Sequence, residues 1–196
     1  MTRAMWIVAL AAAVTAGAAT VLAVRVGEPA PSFTATDNQG QPHALASYKG
    51  KWIVLEWHNQ ACPYVQKHYE SGNMQALQKT WTGKGVVWLT IISSGPGKAG
   101  FVTPAESAAY VAAQRASPTA VLLDPSGAVG HLYDAKTTPH MFVINPQGVV
   151  IYNGAIDDKP SRDLADVATA RNYVAAALTE AMAGQPVTVP TSRPYG

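Results

Sequence analysis

The chain has 196 residues, 48% apolar and 13% charged, with a formal net charge of +2 and an isoelectric point near 8.7. That is enough for one globular domain needing neither disulfide nor structural metal to fold, and it excludes a disordered composition. The lysines and arginines are scattered without a run, which argues against a nucleic-acid partner.

Met1 to Arg3 supply a positive end, and residues 4–24 carry no charge. Ala16-Gly17-Ala18 offers a small-x-small cleavage site. Residues 1–24 therefore read as a signal peptide or an N-terminal membrane anchor through residues 4–24. Both readings place the rest outside the cytoplasm, in the periplasm or facing it.

Residues 32–36 and 42–45 flank the turn cluster Asp37-Asn38-Gln39-Gly40 and predict a β-hairpin. Residues 52–57 (Trp-Ile-Val-Leu-Glu-Trp) predict a central strand buried on both faces, with Glu56 the one misfit. A helix is expected over 63–81, weakened by Gly72. A second strong strand covers 86–92. Thr103-Pro104-Ala105-Glu106 is a capping-box pattern that opens a helix to about Arg115. Strands follow at 121–123, 141–144 and 149–152, the last two forming a hairpin. A helix is expected over 163–183, then an irregular tail over 184–196. The alternation gives an α/β domain over 27–183, with a central mixed β-sheet flanked by helices and an N-terminal β-hairpin.

Cys62 is the one cysteine. In an exported chain it is a buried small hydrophobe, a thiol paired with another molecule, or a reactive group. It follows the central strand through a polar loop, and Pro63 suits the first turn of a helix. That location, at the C-terminal edge of a strand, is where α/β sites gather. Free N–H groups and the macrodipole there favour a thiolate.

Taken in order, Pro31-x-Phe33, Asp37-x-x-Gly40, Tyr48-x-Gly50-Lys51, the apolar strand, Cys62-Pro63, and Thr138-Pro139 before residues 141–144 resemble the thioredoxin-like redoxins. That group includes the AhpC/TSA peroxiredoxins and TlpA-type thiol proteins. Cys62-Pro63-Tyr64-Val65, with Lys67-His68-Tyr69, Asn73-Met74-Gln75 and Gly154-Ala155-Ile156-Asp157-Asp158, is similar to an exported bacterial branch of redoxins. The resemblance covers residues 27–196. It implies a thioredoxin-like fold with Cys62 as nucleophile. It also implies that Pro139, after Thr138, is a cis-proline offering backbone to substrate beside Pro63. An ordinary trans loop proline is the alternative for Pro139. Glu56 matches a buried acid that helps proton transfer through a raised pKa; a solvated glutamate is its alternative.

Val65 stands where thioredoxins carry a second cysteine, so the resemblance implies a monothiol resolved by an external thiol or redox partner protein. Asn59 stands three residues before Cys62, where peroxiredoxins carry Thr or Ser, and no residue matches the peroxidase arginine. Relatives often continue after a Pro-Tyr-Gly like Pro194-Tyr195-Gly196 into a further cysteine; this sequence stops at Gly196. The expected substrate is a disulfide or hydroperoxide, and no cofactor is implied. Two other readings stay open. One is a copper-binding protein, with His58, Cys62 and His140 as ligands and His68 and Met141 within possible reach. The other is a redox-inert interaction module.

Overall fold

The computed structural model describes residues 24–196. Apart from Val24, the predicted signal or anchor lies outside the described residues. Among the described residues, no helix is long and apolar enough to cross a membrane.

The chain opens with the predicted hairpin, β1 (Thr34–Asp37) and β2 (Pro42–Ala44), paired antiparallel with Thr34 opposite Ala44. Asp37 closes its turn: Oδ1 accepts the N–H groups of Gln39 and Gln41, both at 2.8 Å. The other strands are β3 (Ile53–Trp57), β4 (Val87–Ile92), β5 (Ala120–Leu123), β6 (His140–Ile144) and β7 (Val150–Gly154). They form one mixed seven-stranded sheet in the order β2-β1-β5-β4-β3-β6-β7. The pairs β3–β4 and β4–β5 are parallel, while β6 runs antiparallel to β3 and β7 antiparallel to β6. This is the α/β architecture with a mixed sheet that the sequence pattern predicts, and the thioredoxin-like fold that the resemblance implies.

The continuous apolar runs have their reason in this order. β3 and β4 lie inside the sheet with both faces covered, and every residue of both is buried. Ile53, Leu55 and Trp57 face a cluster with Leu89, Ile91, Tyr133 and Phe142. Val54 faces the other layer, with Trp88, Met141 and Val143. Each fully buried Leu, Ile or Phe contributes roughly 1.5–3 kcal/mol.

Helices α1 (Pro63–Glu70), α2 (Asn73–Thr82) and α5 (Tyr173–Met182) pack on that second layer. The single helix expected over 63–81 is two, because Gly72 takes a left-handed φ of 76° and restarts the chain at Asn73. α3 (Pro104–Gln114) carries the full capping box between Thr103 and Glu106 and stops at Arg115, whose φ is 51°. A short helix, α4 (Ala128–Leu132), was not anticipated. The helix expected over 163–183 is a 3-10 turn at Leu164–Thr169 followed by α5, which Asn172 caps by accepting the Ala175 N–H at 2.8 Å. Asn172 also bridges to Asp157, so the chain turns there.

Two segments line the outer edge of β7. Gly27 N donates to Val150 O, Val150 N to Glu28 O and Ala30 N to Gly148 O. Further along, Asn153 N donates to Pro190 O, and Ser192 N donates to Asn153 O. The 184–196 segment is irregular but held by these bonds.

Candidate active site

The site forms where the end of β3 meets the start of β6. In the antiparallel register Trp57 lies opposite His140. The loop leaving β3 is therefore brought against the segment entering β6. Within the first loop, Asn59 Oδ1 accepts the Ala61 N–H at 2.9 Å, and Cys62 N donates to Asn59 O at 2.9 Å. The Asn59 amide also packs on Gly100, where an added Cβ would lie 2.6 Å from Asn59 Nδ2. Asn59 thus shapes the loop that presents the thiol.

Cys62 is the N-cap residue of α1. Its backbone is extended (φ −75°, ψ 123°), its carbonyl accepts the Gln66 N–H at 2.9 Å, and Pro63 fills the first helical position. The thiol is half-buried and makes no capping bond. Cys62 Sγ donates instead to Thr138 O at 3.0 Å. The Thr138–Pro139 bond is cis. Cys62, Pro63, Thr138 and Pro139 are thus brought together. Val65 is fully buried in the helix-side core.

His140 fixes the segment that carries Thr138. Its Nδ1 accepts the Lys136 N–H at 3.2 Å, so Nε2 carries the proton and donates to Asn153 Oδ1 at 2.8 Å. Burial lowers its pKa and favours this neutral form. Beside Thr137 and Thr138 lies a groove of about 240 Å³, lined also by Trp57, Ser93, His131 and Lys136.

Glu56 is fully buried, as the resemblance implied, but its environment differs from the expected one. Oε1 accepts from the Tyr69 hydroxyl at 2.8 Å, and Oε2 from Trp88 Nε1 at 2.7 Å, Thr90 Oγ1 at 3.0 Å and Gln78 Nε2 at 3.1 Å. His58 Nδ1 stands 3.4 Å from Oε1 without making a hydrogen bond. Burial alone would raise this pKa. The His58 interaction, with the Trp88 and Tyr69 donors, outweighs it and holds the carboxyl below its ordinary value. The shift runs opposite to the raised pKa expected of a proton carrier.

His58, Cys62 and His140 do not form a metal set. His58 packs against Tyr69 and Tyr110 on the helix side, while His140 packs against Phe142 on the other face. Among the described residues, no three His, Cys, Asp or Glu side chains gather as ligands for a metal ion.

A second polar cluster escaped the sequence reading. Lys67, His68 and Asp157 are buried beneath Tyr195. Lys67 Nζ donates to Lys159 O at 2.8 Å and lies 4.0 Å from Asp157 Oδ2. The Tyr195 hydroxyl donates to Asp157 Oδ1. Burial, with the Lys67 charge adding to it and Asp157 opposing, lowers the His68 pKa to about 4. Lys67-His68 and Asp157 stood out in the sequence, but their meeting with Tyr195 depends on a contact 127 residues apart.

The AhpC/TSA family model matches residues 26–153, and the chain belongs to that family. No curated protein matches it. A hypothetical protein from Sinorhizobium meliloti has a similar structure, at a TM-score of 0.75 and 21% identity, covering 89% of this chain and 93% of its own. An uncharacterized conserved protein from Geobacillus kaustophilus follows at 0.73 and 22%, covering 87% and 88%. A putative thiol:disulfide interchange protein DsbE from Chlorobium tepidum reaches 0.54 and 21%, covering 67% and 85%. At these identities the likeness establishes a shared fold.

Proposed function

We propose that this protein is an exported thiol oxidoreductase in which Cys62 acts as a nucleophilic monothiol on a disulfide or a hydroperoxide. The observation that carries this reading is the half-buried thiol at the N-terminus of α1, bonded to the carbonyl that precedes cis-Pro139. Its export rests on the uncharged N-terminal segment.

With a disulfide, Cys62 loses its proton to solvent and its sulfur attacks one sulfur of R–S–S–R. The S–S bond breaks, a Cys62–S–S–R mixed disulfide forms and RS⁻ leaves. With a hydroperoxide, the sulfur takes the terminal oxygen, giving a sulfenic acid and releasing alcohol or water. The sequence has no second cysteine, and Val65 fills the neighbouring position inside the core. An external thiol, small or carried by a redox partner protein, therefore completes the cycle: one thiolate attacks the mixed disulfide, releasing the Cys62 thiolate and leaving a new disulfide, whereas a sulfenic acid takes two thiols, the first displacing water to form a mixed disulfide and the second releasing Cys62. The putative interchange protein among the structural relatives is consistent with such a partner.

Stopped-flow mixing with a model disulfide is expected to give one equivalent of released thiol and a mixed disulfide by mass spectrometry. Cys62→Ser abolishes both. Substoichiometric hydrogen peroxide, read by sulfenic-acid trapping, separates the two substrates. Wild-type protein inert toward both reagents would overturn the proposal.

A further inference from the structure

The segment 190–196 crosses the molecule to reach the thiol site, and each step is anchored. Ser192 Oγ accepts the Ala155 N–H at 2.9 Å and lies 2.7 Å from the Tyr152 hydroxyl. It sits in a notch that only Gly154 leaves open: a Cβ there would meet Ser192 O at 2.6 Å and Ser192 N at 2.7 Å. The Tyr195 ring then packs edge-on against Tyr64 of α1 at 5.6 Å, with Lys67 Nζ 5.8 Å from its centroid. The Tyr195 hydroxyl donates to Asp157. Gly196 finally lies so close to Thr137 and Thr138 that a Cβ built on it would collide with Thr137 Oγ1 and Thr138 O. Thr138 O is the atom that accepts from Cys62 Sγ.

One carbonyl is thus flanked by the thiol and by a strap of the chain's own backbone. A disulfide carried by a protein brings extended backbone on both sides of its sulfur, so it must clear both flanks of the cis segment. The strap holds one of them. We infer that the 190–196 strap is a specificity element that admits small disulfides or hydroperoxides to Cys62 and excludes disulfides embedded in proteins. The inference rests on Cys62 being the reacting thiol, adds the size class of its substrate and, since a partner protein's thiol would meet the same flank, narrows the external thiol that resolves Cys62 to a small one.

The test compares the full chain with two strap variants, Gly154→Ala, which fills the Ser192 notch, and Tyr195→Ala, which removes the contacts to Tyr64 and Asp157. Each is reacted with a small maleimide and with the same maleimide on a bulky polymer. A free cysteine peptide sets the intrinsic ratio of the two rates. The full chain is expected to disfavour the bulky reagent relative to the peptide, and both variants to recover it. For a strap seated in nine molecules of ten, release raises the bulky-reagent rate about tenfold, because that rate follows the open fraction. The same ordering is expected for a small disulfide against a disulfide-bonded protein. A full chain with the ratio of the free peptide, or variants that leave the ratio unchanged, would overturn the inference. Failure of the small reagents themselves to react at Cys62 would instead overturn the nucleophile assignment.

Discussion

Cys62 and Glu56 lie six positions apart, yet they differ in how much of their behaviour a sequence can carry. The setting of Cys62 is local: an apolar strand, a short polar loop and Pro63 define an N-cap. The charge state of Glu56 is not local, because its partners come from β3's own loop, α1, α2 and β4. Position alone suggested burial and hence a raised pKa; the converging donors reverse the shift. Glu56→Gln leaves the shape but turns an amide N–H₂ toward groups that are themselves donors. A loss of about 2–3 kcal/mol is expected from the exchanged charged hydrogen bonds, read as a lowered urea midpoint. The rate of Cys62 alkylation in the folded variant should stay close to wild type. A large fall in that rate with an unchanged midpoint would restore Glu56 to a proton-transfer role. His140 was legible only as a histidine beside Pro139; its positioning role depends on Asn153 across the β6–β7 hairpin and on the Lys136 backbone.

Among the elements, those with a repeated apolar signal were read well and those set by single turns were not. β3 and β4 stand where continuous apolar runs put them, to within a residue. The capping box at Thr103 was explicit in the sequence and forms as read. Thr103→Ala removes its side-chain acceptor and is expected to lower stability by about 1 kcal/mol in chemical denaturation. Gly72 was visible as a weak point, but the outcome required knowing that the backbone turns left-handed there. The site is open enough that a Cβ would meet nothing within 4 Å. Gly72→Ala should therefore lose stability through conformation alone, by about 1–2 kcal/mol, with the near-ultraviolet spectrum of the surrounding aromatics retained. The break before α5 hides behind an amphipathic pattern that continues across it, since Leu164 and Val167 share the helical spacing of Val174 and Leu178. Asn172 decides the boundary through its cap and its bridge to Asp157.

The molecule as a whole should be acid-sensitive. Burial holds His140 below its ordinary pKa and His68 at about 4 against an ordinary 6.5. As pH falls below about 6.5, the unfolded chain takes up protons that the folded chain refuses. Stability falls with each step, by up to about 1.4 kcal/mol per pH unit for each histidine. Glu56, also held below its ordinary value, extends the loss in the same direction at lower pH. Urea midpoints measured from about pH 7 to about pH 5 should decline steadily, and His68→Gln should flatten the slope. A midpoint independent of pH over that range would contradict the burial of these two imidazoles as neutral groups.

An exposed strand edge is a template on which another chain can add its own strand. Here residues 27–30 and 190–192 take up backbone groups along the outer edge of β7, and the opposite edge strand, β2, spans only Pro42–Ala44 and begins with a residue that has no N–H to offer. Segments distant in sequence close that margin of the folded chain and make intermolecular β-aggregation a hazard of the partly folded chain rather than of the finished molecule.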